Sequence, residues 1–474
     1  MRYTKSFLFM ALALCVWAQG RATTTDTLAW EKSADRVSAD IHGEALHPLL
    51  EDIAHQTGWH ILVEPGCDQL ADVKFNNLPP GDALKKLLGN LNYALVPQAS
   101  GPDILYVFTT TMQAATQPVA TTIAKHRHVA NQLLVKLKPG VDADTFAKAV
   151  GAKVIGRNDK LHMYLLEFAD ATATDAALPQ MQDNNSDVDA VSYNNILDSP
   201  VVPRAIASAP ISLPALTLNA PSANSSASPL IGLIDTVYQP SGTPVDAIMM
   251  PQISVVGSSA TGSGSAVNPD SFGGVKPMSV TATVPTHGTA MAQAIYFALA
   301  QATHGHTSVK ILPVNVYESG DTTTSWDVAL GVQAAVDNGA RILNMSLGGT
   351  DDSPPLDSII QQALAQGVVI FAAAGNTPVS SPTYPAALPG VNAVTALAAP
   401  GKLASYANFG SFVEMALPGT SFVYLGNQAY VVQGTSPATA YATGMAAGAK
   451  SVNAASWSQI ESVMAQKFPV PAAP

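Results

Sequence analysis

The sequence predicts an α/β protein, a parallel sheet with helices on both faces, preceded by two small α+β domains. Three observations lead there. From Leu230 onward, short apolar runs (Leu230 to Ile234, Val309 to Val314, Ile342 to Leu347, Val368 to Ala373) alternate with helix-patterned stretches (Thr289 to Ala300, Trp326 to Asn338, Leu356 to Gln366, Ala438 to Ala449). Such alternation builds a parallel sheet covered on both sides, with its chemistry at the carboxyl ends of the strands. Residues 27–110 and 129–195 each carry strand and helix patterns of their own, and the 474-residue length allows two to four domains. Two stretches without periodicity, 111–128 and 196–229, separate these regions as linkers, and the main domain spans 230–474.

The N-terminus has the features of an export signal over residues 1–22. Arg2 and Lys5 precede an apolar stretch, Phe7 to Trp17, too short to span a bilayer, and Gly20 and Ala22 supply small residues for cleavage. The expected location is therefore periplasmic or extracellular. No later segment holds 18 uninterrupted apolar residues, so no membrane span is expected. With Cys15 in the leader, Cys67 stands alone, and the mature fold is expected to rest on core packing without an internal disulfide. A formal net charge of -11 argues against a nucleic-acid partner, which would call for a basic face.

In residues 27–110, Val37, Ala39 and Ile41 alternate as in a strand. Leu46, Leu49, Leu50 and Ile53 share one face of a helix that ends at Gly58. Strands at Trp59 to Val63, around Val73 to Phe75 and at Ile104 to Phe108, with a second helix from Pro80 to Leu88, complete two helices on a small sheet. The run from Glu44 to Leu91 resembles the short N-terminal domain of secretins and TonB-dependent receptors. That resemblance implies a protein partner in the cell envelope and no part in chemistry. His42, His47, His55 and His60 are read as surface or core histidines.

In residues 129–195, a strand at Gln132 to Leu137 stops at Pro139-Gly140, and a helix follows from Asp142 to Val150. Lys153 to Ile155 and Met163 to Phe168 are further strands. The strand ending Leu137-Lys138-Pro139-Gly140, with Asp187 to Val191 near the close, resembles the inhibitory prodomain of subtilisin-like proteases. The segment 196–229 carries Pro200, Pro203, Pro210, Pro214, Pro221 and Pro229 and few charges. It is an extended connector and an accessible cleavage target.

Hydrolysis of a peptide bond by serine needs a base for the hydroxyl proton, an acid to orient that base, and donors for the oxyanion. Asp235 ends the strand Leu230 to Ile234. His287 opens a helix in Thr286-His287-Gly288-Thr289, and Ser436 opens another in Gly434-Thr435-Ser436-Pro437. A helix start favours developing negative charge and leaves backbone N–H groups free. Asn376, in Ala373-Ala374-Gly375-Asn376, follows an apolar strand and is the natural side-chain oxyanion donor. These four frames, in the order Asp, His, Asn, Ser, resemble the subtilisin-like serine proteases over residues 230–455. The resemblance implies a subtilisin-like fold, an endopeptidase acting on polypeptides, and Asp235, His287 and Ser436 as its triad. It also implies substrate contacts at Ser346, Leu347, Gly348, Ala373 and Gly375, the small residues among them leaving a pocket open to apolar side chains. Structural calcium is common in that family, but no acidic loop here marks a ligand set. No metal site is expected from the pairs His304/His306 and His126/His128, which lack carboxylate neighbours at a suitable spacing.

Two positions depart from the family pattern. Val237 stands where glycine is usual after Asp-Thr, and Ala440 where proline is usual four residues after the serine. A β-branched residue resists positive φ, and alanine removes a kink. The 52 residues from Asp235 to His287 include a Gly/Ser-rich insertion near 257–275. These departures keep an alternative open, a catalytically weak subtilisin-like domain serving as an envelope binding protein.

Overall fold

A computed structural model describes residues 27–471 apart from 32–35, 65–66, 68, 98–102, 116, 120–126, 185, 199–200, 207–212, 220–228, 257–283, 318–321 and 454. The export signal and the insertion at 257–275 lie outside the described residues, as do parts of both expected linkers. The chain divides into two compact units, Met1–Ile123 and Ala124–Pro474.

In the first unit, the alternation of Val37, Ala39 and Ile41 buries one face of the strand Arg36–Ala45. The helix Leu46–Thr57 buries Leu46, Leu49, Leu50 and Ile53 beneath it. Gly58 ends that helix at φ 74°, a left-handed position that costs glycine little. The helix Pro80–Leu87 starts with proline, has Asp82 in its first turn and Lys85 and Lys86 in its last, as the helix dipole favours. The unit has two sheets where the sequence implied one. Thr27–Glu31, Arg36–Ala45 and Leu70–Leu78 form a three-stranded sheet, and Asn92–Val96, Ile104–Phe108, His60–Val63 and Gln117–Val119 form a four-stranded one. The last strand falls within the expected linker 111–128. Pro118, which cannot donate a ladder bond, is tolerated there because the strand lies at the sheet's edge.

The second unit opens with a five-stranded sheet in which residues of His128–Leu137 alternate between two cores. Leu133, Val135 and Leu137 pack with Phe146, Tyr164, Leu166 and Met181, under the helices Ala143–Ala149 and Ala171–Asn184. Leu134, with Met163 and Leu165, packs instead into the cluster of Trp326, Leu356 and Ile359 from the α/β region. The middle of the strand His128–Leu137 is accordingly apolar on both faces, with Leu133, Leu134 and Val135 all buried. The expected boundary at 195/196 does not divide the fold. The strand Val188–Asp198 runs through it, and Ile196, Leu197 and Asp198 pair antiparallel with Thr324, Thr323 and Thr322. The connector 196–229 is anchored again where Arg204–Ile206 pairs with Val431, Tyr430 and Ala429, and where Thr217–Leu218 pairs with His306 and Thr307. These strands satisfy backbone groups that an unpaired connector would leave to water.

The expected parallel sheet lies at the centre, in the order Ile253–Ser254, Lys310–Asn315, Leu230–Asp235, Ala340–Met345, Val369–Ala373, Asn392–Ala399, with Met415–Pro418 parallel and Lys402–Leu403 antiparallel to the last. One face carries the helices Ser325–Asp337 and Pro354–Ala365. The other carries His287–Ala302, Thr435–Val452 and Trp457–Lys467. The helices His287–Ala302 and Thr435–Val452 meet along a glycine seam. A Cβ on Gly444 would stand 2.4 Å from the carbonyl oxygen of Ile295, and one on Gly448 would stand 2.5 Å from Cβ of Ala302. Contacts that advance together along both helices set them side by side in the same direction, so both N-termini emerge at one end.

Candidate active site

The carboxyl ends of three neighbouring strands bring Asp235, Ser346 and, two residues past its strand, Gly375 to that same end. Asp235 is 1% exposed and His287 3% exposed. The imidazole Nδ1 meets both carboxylate oxygens, at 2.9 and 3.0 Å. The Thr236 N–H and hydroxyl also donate to Asp235 Oδ1, at 2.7 and 3.2 Å, so the carboxylate is fixed by its own loop. The Gly288 N–H donates to Thr236 Oγ1 at 2.7 Å, which ties the histidine helix to that loop. A Cβ on Gly288 would stand 2.3 Å from the Thr236 carbonyl oxygen, so the close approach requires glycine.

Ser436 is buried in the first turn of its helix, which Gly434 opens at φ 154°. Its Oγ donates to the Ser346 carbonyl at 3.3 Å, and Ser346 Oγ donates to the Ser436 carbonyl at 3.1 Å. His287 Nε2 is buried without a hydrogen-bond partner. The Asp–His link is thus formed and the Ser–His link is open, a geometry that tightens in many enzymes only when substrate binds. Asn376 Oδ1 accepts the Thr435 N–H at 2.8 Å and its hydroxyl at 3.1 Å. Those two donors fix the amide's orientation and leave Nδ2 for another acceptor.

The remaining substrate-contact candidates divide. Gly348 and Gly375 face a common neighbour, because a Cβ on Gly348 would meet Thr383 Cγ2 at 3.0 Å and one on Gly375 would meet Thr383 Oγ1 at 3.3 Å. Leu347 is buried in the core with Trp326 and Leu356, and Ala373 is 5% exposed. Thr383 therefore stands between the two glycines and narrows the space that their small size leaves. Sequence reasoning passed over Thr383, which lies in no motif, and over Thr435, whose role depends on a contact 59 residues away. Val237 keeps φ out of the left-handed region, so the loop turns without a glycine. Ala440 lies inside the continuous helix Thr435–Val452, fully buried and unkinked by proline.

A model of the subtilase family, peptidase S8, matches residues 226–469, over half of the chain. The chain belongs to the subtilase family. Residues 114–194 match the fervidolysin N-terminal prodomain. Subtilisin DY of Bacillus licheniformis is 31% identical over 227 residues, 46% of this chain and 74% of that protein. A thermostable alkaline protease of Halalkalibacterium halodurans is 36% identical over 146 residues, 30% of this chain, which spans only 40% of that relative's length. The crystal structure of fervidolysin from Fervidobacterium pennivorans superposes with a TM-score of 0.52 at 18% identity, covering 72% of this chain and 58% of that one, a likeness of fold.

Among the described residues, no group of three or more His, Cys, Asp or Glu side chains could hold a metal ion. Asp246 is instead occupied as an internal acceptor, from the Gly242 N–H at 2.9 Å, the Ser241 N–H at 3.1 Å and the Tyr238 hydroxyl. Burial, and then the Asp246 carboxylate, hold that phenol protonated well above its ordinary range. No helix among the described residues is long and apolar enough to cross a membrane.

Proposed function

We propose that this subtilase is an exported serine endopeptidase, acting on polypeptides in a periplasm or outside the cell. Ser436 Oγ attacks the scissile carbonyl while His287 Nε2 takes its proton, and Asp235 holds the imidazole by its Nδ1–H. The tetrahedral oxyanion is met by Asn376 Nδ2 and the Ser436 N–H. His287 then returns the proton to the departing amine, leaving an acyl group on Ser436. Water deprotonated by His287 releases it. The observation that carries this reading is the buried Asp235–His287 pair, whose Nε2 is left without a partner in the protein.

The module at 129–195 is read as inhibitory, its last strand lying beside the candidate substrate segment. Leu197 and Gly349 line one small cavity with Tyr384, next to Gly348. The module at 27–110 is read as a docking domain for a cell-envelope protein, by its resemblance to secretin and TonB-receptor short domains. An expression series lacking residues 27–124 tests it: peptide turnover is expected to persist while location or partner recovery changes.

A fluorophosphonate probe tests the chemistry. Labelling at Ser436, abolished by Ser436→Ala in a folded protein, is expected; full labelling of that variant at another serine overturns the assignment. The bond from Ser436 Oγ to the Ser346 carbonyl favours a second reading, a catalytically weak binding protein. A wild-type chain that stays unlabelled after processing selects it.

A further inference from the structure

The residues after Asp235 do more than turn the chain. Gln239 is 6% exposed and binds the start of the histidine helix three ways. Its N–H donates to Thr289 Oγ1 at 2.8 Å, and its carbonyl accepts from that hydroxyl at 3.3 Å. Its side-chain Oε1 accepts the N–H of Thr286, the N-cap of the helix, at 2.9 Å. Thr286 Oγ1 also donates to the Val237 carbonyl at 2.6 Å. His287 therefore stands between two residues, Thr286 and Gly288, whose N–H groups are both held by the loop 236–239.

The other end of the same amide is informative. Gln239 Nε2 is buried with no hydrogen-bond partner. Turning the amide over would set this nitrogen against the Thr286 N–H, so its orientation is fixed. An unmade buried donor is costly, and a hydrocarbon side chain would avoid it. The chain keeps a glutamine here, and its acceptor oxygen is the half that is used.

We infer that Gln239 is a positioning residue for His287, holding the helix cap against the loop that carries Asp235 and so fixing the imidazole relative to the carboxylate. The inference rests on the reading of Asp235, His287 and Ser436 as a triad. It concerns a residue two beyond Val237, where the turn lacks the usual glycine. Leucine at 239 leaves the Thr286 N–H without its acceptor. Glutamate keeps that acceptor and puts a second oxygen, with a negative charge when ionised, in place of the nitrogen that has no partner.

The test uses the full chain with two substitutions, Gln239→Leu and Gln239→Glu. Q239L is expected to lower kcat on a small peptide by about 10- to 100-fold with KM changed less than about twofold, since displacements near 1 Å cost on that order. Q239E, assayed at a pH high enough that the added charge does not keep His287 protonated, is expected to recover most of the kcat that Q239L loses. A second readout needs no activity. In Ser436→Ala protein, the Nδ1–H of His287 held by Asp235 gives a low-field proton resonance, expected to persist in Q239E and to broaden by exchange in Q239L. Wild-type kcat and an unchanged resonance in Q239L overturn the inference. Should Q239L not fold, Gln239→Met takes its place as the variant without the acceptor: a broadened resonance in folded Q239M supports the role, and an unchanged one overturns it. A wild-type chain that no fluorophosphonate labels defeats the protease reading, while the resonance still reports on Gln239.

Discussion

Asn194 Oδ1 accepts the backbone N–H of Trp326 at 3.1 Å, across 132 residues of sequence, and so caps the first turn of the helix Ser325–Asp337 from outside. The Ser325 hydroxyl adds a second donor at 3.3 Å, and Asn194 Nδ2 is held by Gln132 at 2.9 Å. The prodomain-like strand thus supplies an acceptor that a helix start needs. Asn194→Ala should loosen the docking by about 1 kcal/mol, an ordinary cap loss. In Ser436→Ala protein, hydrogen exchange of Val188–Asp198 should rise about fivefold on that figure while the parallel sheet stays protected. Equal exchange in both proteins would show that the cap does not hold the module.

Processing follows from the same strand. The connector between Ile196 and 229 is expected to be cut by the chain's own Ser436. Its described parts are pinned at Ile196–Asp198 and Arg204–Ile206, so the ends produced by a cut between them should remain paired to the rest of the fold. Intact-mass analysis of native protein should therefore show two fragments that co-purify. Ser436→Ala protein should show one uncut chain. Identical cutting of both proteins in a protease-free preparation would assign the cleavage to another enzyme.

The frames of the proposed triad could be read because each sits where an element begins or ends, and the strand-helix alternation that sets those ends is a pattern of apolar residues. Gln239, Thr383 and Thr435 were not legible, since hydrogen bonds spanning tens of residues leave no period in the sequence. The helix Ala171–Asn184 escaped for a local reason: Pro179 lies inside it and threonines open it, so its sequence argues against a helix that packing nonetheless holds. The strand Gln117–Val119 escaped likewise, three residues with a central proline that only pairing with His60–Val63 makes a strand.

The first unit should lose stability as pH rises from about 4.5 to about 7. Burial, followed by the nearby Asp52 carboxylate, raises Glu51 to about 7, while burial lowers His47, whose Nε2 lies 3.5 Å from the Glu51 carboxyl. Both shifts favour an uncharged pair. For Glu51 the folded pKa exceeds the unfolded one, so its contribution is full below pH 4.5 and lost as pH rises to about 7. The shift from 4.5 to about 7 corresponds to about 3 kcal/mol at most, at 1.36 kcal/mol per unit. Urea titrations of a 27–123 fragment at pH 4.5 and 8 should show the loss, and Glu51→Gln should remove it. The residual slope in that variant should take the opposite sign, because His47 loses stability as pH falls through its unfolded value of 6.5. A Glu51→Gln fragment with the wild-type profile would remove Glu51 as the cause.

Gly444 gives the sharpest test of how the fold sets the chemistry. It lies eight residues past Ser436, inside the helix Thr435–Val452, where that helix packs against the histidine helix. A methyl there would stand 2.4 Å from the Ile295 carbonyl oxygen and 2.8 Å from Cβ of Ala298. Neither neighbour is the tip of a flexible side chain, so the helices must move apart. Both are anchored at the candidate site, one by Thr286 and Gly288 and the other through Ser346 and Thr435, and a shift between them changes the distance from His287 to Ser436. Gly444→Ala should cost about 1–3 kcal/mol of stability, the range for overpacking a filled core. Turnover in the protein that remains folded should fall by about 100-fold, the scale of a 1 Å displacement. Gly242→Ala, at an exposed turn with nothing within 4 Å of its would-be Cβ, is the control for a glycine replaced without crowding. Its left-handed φ of 71° should cost stability but spare the rate per folded molecule. Active-site titration separates the two effects, because it counts competent molecules before rates are compared. A Gly444→Ala enzyme whose rate per titrated site matches wild type would mean that the helix seam does not set the distance from His287 to Ser436.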